Sequence, residues 1–331
     1  MKTSTSKRLR WNIAIWLAAG LFMTGAAGMA AGPIMPDPKA EARHQPQIEE
    51  TANGIPLVNI TAPSSGGVSR NEYETFNVPD KGAILNNSYT LSKTELAGYV
   101  QGNNNMAERP AKIIVNEVTG AGSTSMDGFL EVAGNRADVV IANPNGITVN
   151  GGGFINTGKA FLTTGKPVYD GEDHLQRFDI TGGDILIEGK GLGGKETESL
   201  AILSRAVKIN AGIWAKDLHI TTGANTVDAK TLEASAIEGK GGRPAFALDT
   251  AAIGGMYAGR ITLVGTEKGL GVNNSGTWSA EDNLTLDWNG DLKNSGTIYS
   301  KGNADLRASR LENDKTIAAE RNLSAAAKEN I

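Results

Sequence analysis

No cysteine occurs in the 331 residues, and only three histidines do, His44, His174 and His219. Without thiols no disulfide can staple the chain, so stability must come from backbone ladders and core packing. The three histidines lack metal-ligand spacing, which with the missing thiols speaks against a zinc site. Positive charge is also in deficit: 32 Lys+Arg stand against 36 Asp+Glu. A nucleic-acid footprint needs a basic face, so that partner class is disfavoured. No G-x-S-x-G elbow and no G-G-x-G-x-D calcium repeat is present. Beyond the N-terminus, no apolar run is long enough to cross a bilayer.

That N-terminus has its own pattern. Lys2, Lys7, Arg8 and Arg10 precede an apolar run, Trp11 to Met23, and Gly28-Met29-Ala30 forms a small-x-small site. Residues 1–30 therefore read as a secretory signal peptide cleaved at Ala30. Its removal takes four basic residues, leaving 28 Lys+Arg against 36 Asp+Glu, a net charge of −8. Residues 31–54 are rich in proline, glutamine and charge and read as a flexible leader.

The remainder is organised around residues 128–165, GFLEVAGNRADVVIANPNGITVNGGGFINTGKAFLTTG. Apolar runs at Ala137–Ala142 and Ile147–Val149 flank Asn143-Pro144-Asn145-Gly146. Pro144 pre-sets φ for a turn, and Asn145 and Gly146 tolerate the remaining positions. The β-branched flanks read as strands, and no helical crossover fits between them. Similar short strands recur at Ile55–Ile60, Phe76–Val78, Ala83–Leu85 and Lys112–Val115. Leu91–Val100 is too short in period to assign as helix or excursion.

The C-terminal third repeats itself. Asn274-Ser-Gly-Thr-Trp returns as Asn294-Ser-Gly-Thr-Ile and Asn313-Asp-Lys-Thr-Ile. Asn283, Asn303 and Asn322 keep step as a second marker. Two markers in phase at about 20 residues predict one coil per repeat, stacked through strand ladders. Ala211–Ile220, Thr231–Ala236 and Ala258–Val264 are expected to be earlier, less regular rungs. The predicted fold class is all-β, a parallel β-helix. The recurrent asparagines are assigned to turns, where they tolerate left-handed backbone and can ladder between coils.

VVIANPNGITVNGGGFINTGKAFLTTG, with NEYETFNVPDKGAILNNS, AKIIVNEV and ESLAILSRAVKINAGIWAKDLHITTGANTV, resembles the secretion domain of two-partner secretion exoproteins. That family includes filamentous haemagglutinins, haemolysins and contact-dependent growth-inhibition toxins, and the resemblance covers roughly residues 55–330. It implies a right-handed β-helix with an N-terminal cap, for which 55–120 is the candidate. The implied organisation is a secretion domain over 55–265 followed at 266–331 by the first haemagglutinin-type repeats. It implies a targeting function rather than catalysis, and no cofactor. The partner would be a cognate outer-membrane β-barrel transporter with periplasmic polypeptide-transport-associated domains. The implied route runs through Sec export and the periplasm to the cell surface or medium. Asn143, Pro144, Asn145 and Gly146 match the family's NPNG motif residue for residue. Gly102–Met106 lies where relatives carry an NPNL-type motif, so Asn103 and Asn105 carry over, while Asn104 replaces its proline and Met106 its leucine. A further rung would begin at Lys328–Ile331, so a longer exoprotein is expected, its receptor-binding regions lying beyond.

Other motifs favour blander readings. Gly189–Gly194 satisfies G-x-G-x-x-G but lacks the βαβ unit that motif needs, so it reads as a glycine loop between rungs. Glu172-Asp173 and Glu196/Glu198 would be the carboxylates of the alternative, a polysaccharide-degrading β-helix enzyme. A free-standing adhesin shaft is the other alternative.

Overall fold

The computed structural model describes residues 32–106 and 109–328. The expected signal peptide and its cleavage position, Ala30, lie outside them. From Gly32 onward the chain is one compact unit. It is a parallel β-helix whose rungs contribute to three ladders.

The first ladder climbs from Pro56–Asn59 through Ala83–Asn87, Phe129–Gly134, Gly152–Ile155 and Leu192–Gly194. It continues in the first half of Gly212–Thr222, then Gly255–Gly265, Thr277–Ala280, Thr297–Ser300 and Thr316–Ala319. The second joins Val68–Phe76, Ile113–Val118, Ala137–Ala142, Thr157–Thr163 and Ser199–Ser204 to the far halves of the two long strands. It ends with Leu284–Trp288, Ala304–Ala308 and Leu323–Ala327. The third stacks Thr124–Met126, Ile147–Val149, Asp184–Ile187, Ala206–Ile209, Leu248–Thr250, Val272–Asn274, Leu292–Asn294 and Leu311–Asn313.

Inward side chains stack like on like along the axis. Leu248, Val272, Leu292 and Leu311 are successive partners, as are Ile220, Leu263, Leu286 and Leu306. This continuous apolar column is the main core. Leu284–Trp288 alternates strictly, Leu284, Leu286 and Trp288 buried and Thr285 and Asp287 exposed. That is the pattern of a strand with one wet face.

The second ladder breaks that alternation. In Ala137–Ala142, Val139 and Ile141 enter the main core while Val140 and Ala142 face outward into a second apolar cluster with Phe161, Phe178, Leu203 and Val227. What covers them is an antiparallel sheet outside the solenoid, made of Lys166–Tyr169, Leu175–Ile180, Asn225–Asp228 and Ala234–Ala236. Rung length records these insertions. On the third ladder Ile147 pairs with Ile185 and Val207 with Leu248, steps of 38 and 41 residues. Val272 to Leu292 and Leu292 to Leu311 are steps of 20 and 19.

Several expectations change here. Residues 34–50 are no flexible leader. Ile34–Pro36 pairs antiparallel with Val68–Phe76, and Gln47–Glu50 with Pro56–Asn59. Few apolar side chains are needed because the bonds go to the open edges of the first rung, with Ile34 buried and Ile48 packed on the core. The edge covering expected of 55–120 is thus supplied by the segment before it. Thr231–Ala236 is not a rung, since Ala234–Ala236 belongs to the external sheet. Leu91–Val100 folds as a hairpin, Ser92–Thr94 against Gly98–Val100, anchored by the Glu131 carboxylate, which accepts the Glu95 and Leu96 N–H groups at 2.7 and 2.9 Å. The ladders cross positions 265 and 266 without a break.

Candidate functional site

The tetrapeptide Asn143–Gly146 makes the corner between the second and third ladders. Asn143 is fully buried. Its amide donates to the Gly122 carbonyl (2.9 Å) and to Thr124 Oγ1 (3.0 Å), in the rung below. Its Oδ1 accepts the Asn145 N–H at 2.9 Å, closing an Asx turn. The Asn143 carbonyl accepts the Gly146 N–H at 3.1 Å, closing a β-turn around Pro144 and Asn145. Asn145 itself is exposed, yet its amide donates to the Gly120 carbonyl at 2.8 Å. Gly146 has φ of 111°, a left-handed value that favours glycine.

The loop at Asn103 repeats this construction. Asn103 is 2% exposed, and its amide donates to the carbonyls of Ile60 (2.8 Å) and Asn86 (2.9 Å). Its Oδ1 accepts the Asn105 N–H at 2.9 Å, and its carbonyl accepts the Met106 N–H at 3.1 Å. The Asn105 amide donates to the Ile60 carbonyl at 3.1 Å. Asn104 occupies the position of Pro144 and is exposed, as Pro144 is. The loops differ at their fourth residue. Met106 is 5% exposed and packs in the main core, whereas Gly146 carries no side chain there.

Both loops therefore do the same chemical work. In each, a buried carboxamide closes its own turn with its oxygen and ties that turn to neighbouring chain with its nitrogen. No charge is involved, and nothing in either loop is arranged for bond breaking.

Two further buried asparagines do similar work: Asn86-Asn87 is one of the recurrent turn pairs in the sequence, while Asn116 carries no sequence signal. Asn87 is fully buried and accepts the Ala111 N–H at 2.7 Å while donating to the carbonyls of Ala111 (2.9 Å) and Asn135 (2.8 Å). Asn116 accepts the Tyr73 hydroxyl at 2.9 Å. The repeat asparagines ladder between coils as expected: Asn274 donates to Asn294 Oδ1 and Asn294 to Asn313 Oδ1, each at 2.7 Å. They do so without left-handed backbone; among the described residues only Asn156, Asp173 and Leu232 have positive φ besides glycines.

An ionic network was missed as well. His44, expected in a mobile leader, is 5% exposed, with Nδ1 3.0 Å from Glu72 Oε1. Arg70 Nη2 lies 2.9 Å from Glu72 and 3.4 Å from Glu117, and its guanidinium sits over the Tyr169 ring. Burial pushes the Glu117 carboxyl upward, partly opposed by the Arg70 charge. Arg43 reaches Asp173 at 2.6 Å. The network joins the N-terminal strands to the external sheet.

The carboxylates singled out as catalytic candidates are held elsewhere. Asp173 is in that network, and Glu198 pairs with Arg136 at 3.0 Å. His174 pairs with Asp170 at 2.9 Å, and His219 with Thr221 at 2.8 Å. Among the described residues no group of three or more His, Cys, Asp or Glu side chains is placed to hold a metal ion. The G-x-G-x-x-G segment is a loop between rungs, in which a Cβ on Gly191 would lie 2.1 Å from the Gly212 carbonyl oxygen.

Comparison with known proteins places these loops in context. The TPS secretion domain family matches residues 33–326. "Toxin CdiA" of Yersinia pestis is 42% identical over 297 residues, covering 83% of this chain and 9% of that protein. "16S rRNA endonuclease CdiA" of Enterobacter cloacae is 48% identical over 229 residues, covering 69% of this chain and 7% of that protein. The crystal structure of filamentous hemagglutinin secretion domain superposes with a TM-score of 0.76 at 31% identity, covering 91% of this chain and 99% of that one. The chain thus spans less than a tenth of the length of the curated relatives it matches.

Proposed function

The chain belongs to the TPS secretion domain family, and from that premise we infer that its two asparagine loops are read by a cognate outer-membrane transporter while the chain is still extended. The transporter is a β-barrel with periplasmic polypeptide-transport-associated domains, reached after residues 1–30 have directed the chain through the inner membrane. Asn103, Asn105 and Asn143 to Gly146 are the recognition residues, and the β-helix assembles at the cell surface as the chain emerges.

The single observation behind this reading is the burial of Asn103 and Asn143. Folded, they are 2% and 0% exposed, and their amides are committed to backbone carbonyls. A partner that reads these side chains must meet them before the rungs stack. An extended segment also offers its backbone for strand addition, which the folded corner does not.

The curated relatives are far longer than this chain and carry toxin names, so the domain would serve a toxin-bearing exoprotein, whose receptor contacts would belong to its other regions.

The test is capture of the chain by the transporter's periplasmic domains. The urea-unfolded and the refolded protein are compared, each as wild type, N143A/N145A and N103A/N105A. The expected result is capture of the unfolded wild type only, weakened in both variants. Equal capture of folded and unfolded protein, or of variant and wild type, would sink the reading.

A further inference from the structure

Segments distant in sequence converge on one corner of the first rungs to form an open depression of about 420 Å3 lined by Ser64, Ser65, Arg109, Lys112, Asn135 and Arg136, with no carboxylate among the described residues of its lining. In a chain with more acids than bases, a hollow whose described lining carries three cations and no acid is against the average. A second depression shows the contrast: beside Lys208 and Lys240 it contains Asp184 and Asp249, and Lys208 lies 3.5 Å from Asp184.

The hollow is held from beneath. Asn87 clamps Ala111 and Asn135 together through the three bonds described above, fixing the loops that carry Arg109, Lys112 and Arg136. The Lys112 backbone N–H donates to the Gly67 carbonyl at 2.8 Å, and the Lys112 stem runs over Gly67, where a Cβ would meet Cγ at 3.0 Å. Ser64 closes its own loop by accepting the Gly67 N–H at 2.9 Å. Arg136 pairs with Glu198 at 3.0 Å, lies near the Asp138 carboxylate, and donates to the Thr157 carbonyl at 2.9 Å, all outside the lining of the hollow. Among the described residues no carboxylate lies within 4.0 Å of the Arg109 or Lys112 side-chain nitrogens. Holding like charges close costs free energy that an anion would recover.

We propose that this corner is a binding site for a phosphomonoester, the guanidinium groups of Arg109 and Arg136 gripping its oxygens and Lys112 and the Ser65 hydroxyl completing the shell. Planar guanidinium forks suit a tetrahedral, doubly charged oxyanion better than a single carboxylate. The ligand is either a free phosphate compound or the phosphorylated headgroup of a lipid at the surface where the domain folds.

The experiment uses the folded, exported chain. Titrations follow inorganic phosphate, phosphatidylcholine vesicles, and the same vesicles doped with phosphatidic acid, at low and high salt. The expected result is salt-sensitive binding of the phosphomonoester probes, with roughly tenfold loss or more in R109Q/K112Q. K208Q should bind as wild type, and circular dichroism should show both variants folded. Tight binding to doped vesicles with weak binding of free phosphate assigns the lipid headgroup. Comparable binding assigns the free anion. Failure of both probes to bind, or undiminished binding by R109Q/K112Q, overturns the proposal.

Discussion

Asn103 and Asn143, forty residues apart, make equivalent hydrogen bonds in loops of different sequence. Each accepts the N–H two residues on with its Oδ1 at 2.9 Å, and each gives its amide to chain in a neighbouring rung. The proline between Asn143 and Asn145 is therefore not what makes this turn. The carboxamide makes it, and Pro144 only lowers the entropy of the unfolded chain. Asn104→Pro should then be accepted without strain, since among the described residues the Asn104 N–H makes no backbone bond in the folded loop. A gain of about 0.4–1 kcal/mol is expected in urea unfolding. A loss would show that the two loops are not equivalent.

The same comparison ranks substitutions at the NPNG corner. Asn143→Ala takes the buried amide from the Thr124 hydroxyl and the turn-closing oxygen from the Asn145 N–H, and leaves the Gly122 carbonyl only the Asn145 amide at 3.4 Å, which costs about 1–3 kcal/mol. Asn143→Asp should cost more, because a carboxylate cannot donate to Gly122 and would be buried charged. Asn145→Ala, at an exposed position, should cost about 1 kcal/mol or less. Denaturant melts of the refolded domain give these values. If export falls in parallel with stability alone, Asn145→Ala will export almost as wild type. If the unfolded chain is read, Asn145→Ala will export poorly despite a near-normal melt.

How much of this was legible follows from which face each strand buries. Where one face is wet, as in Leu284–Trp288, alternation and a 20-residue period made the rung readable from sequence. Where both faces are dry, as in Val139–Ala142, the run looked only apolar, and the external sheet that covers Val140 and Ala142 left no local signal. Thr231–Ala236 was misassigned for that reason. The low hydrophobicity of residues 31–54 points to a flexible leader, but burial of apolar side chains is not the only source of order. Ile34–Pro36 and Gln47–Glu50 are ordered by edge hydrogen bonds, which composition does not report. The asparagine loops were found by motif, but their geometry required the carbonyls of Ile60 and Gly122, which sequence could not pair with them.

Acid should destabilise the domain in part through His219. Desolvation lowers its pKa to about 4 from 6.5. The unfolded chain then binds more protons than the folded one between those values, so stability is full above pH 6.5 and is lost as pH falls toward 4. The loss is on the order of 2 kcal/mol, allowing for partial exposure of the ring. His219→Gln keeps a polar partner for Thr221 without a titrating group. Its urea midpoint should fall less than that of wild type between pH 7 and pH 4. Parallel curves would remove His219 from the account.

Removing residues 32–50 should cause association rather than simple unfolding. The rungs above Pro56 keep their apolar column, because most of the main core lies above the first turn. What the deletion uncovers is hydrogen-bonding edge: Val68–Phe76 loses Ile34–Pro36, and Pro56–Asn59 loses Gln47–Glu50. Glu72 loses His44, but Arg70 remains 2.9 Å away, so that carboxylate is not left unpaired. Two bare parallel ladders ending on one side of a solenoid form a template on which another chain can pair. Light scattering of the truncated protein should therefore show concentration-dependent oligomers with far-ultraviolet dichroism close to that of the intact domain. A monomer with lost dichroism would mean that these strands hold the first rungs together instead of shielding them.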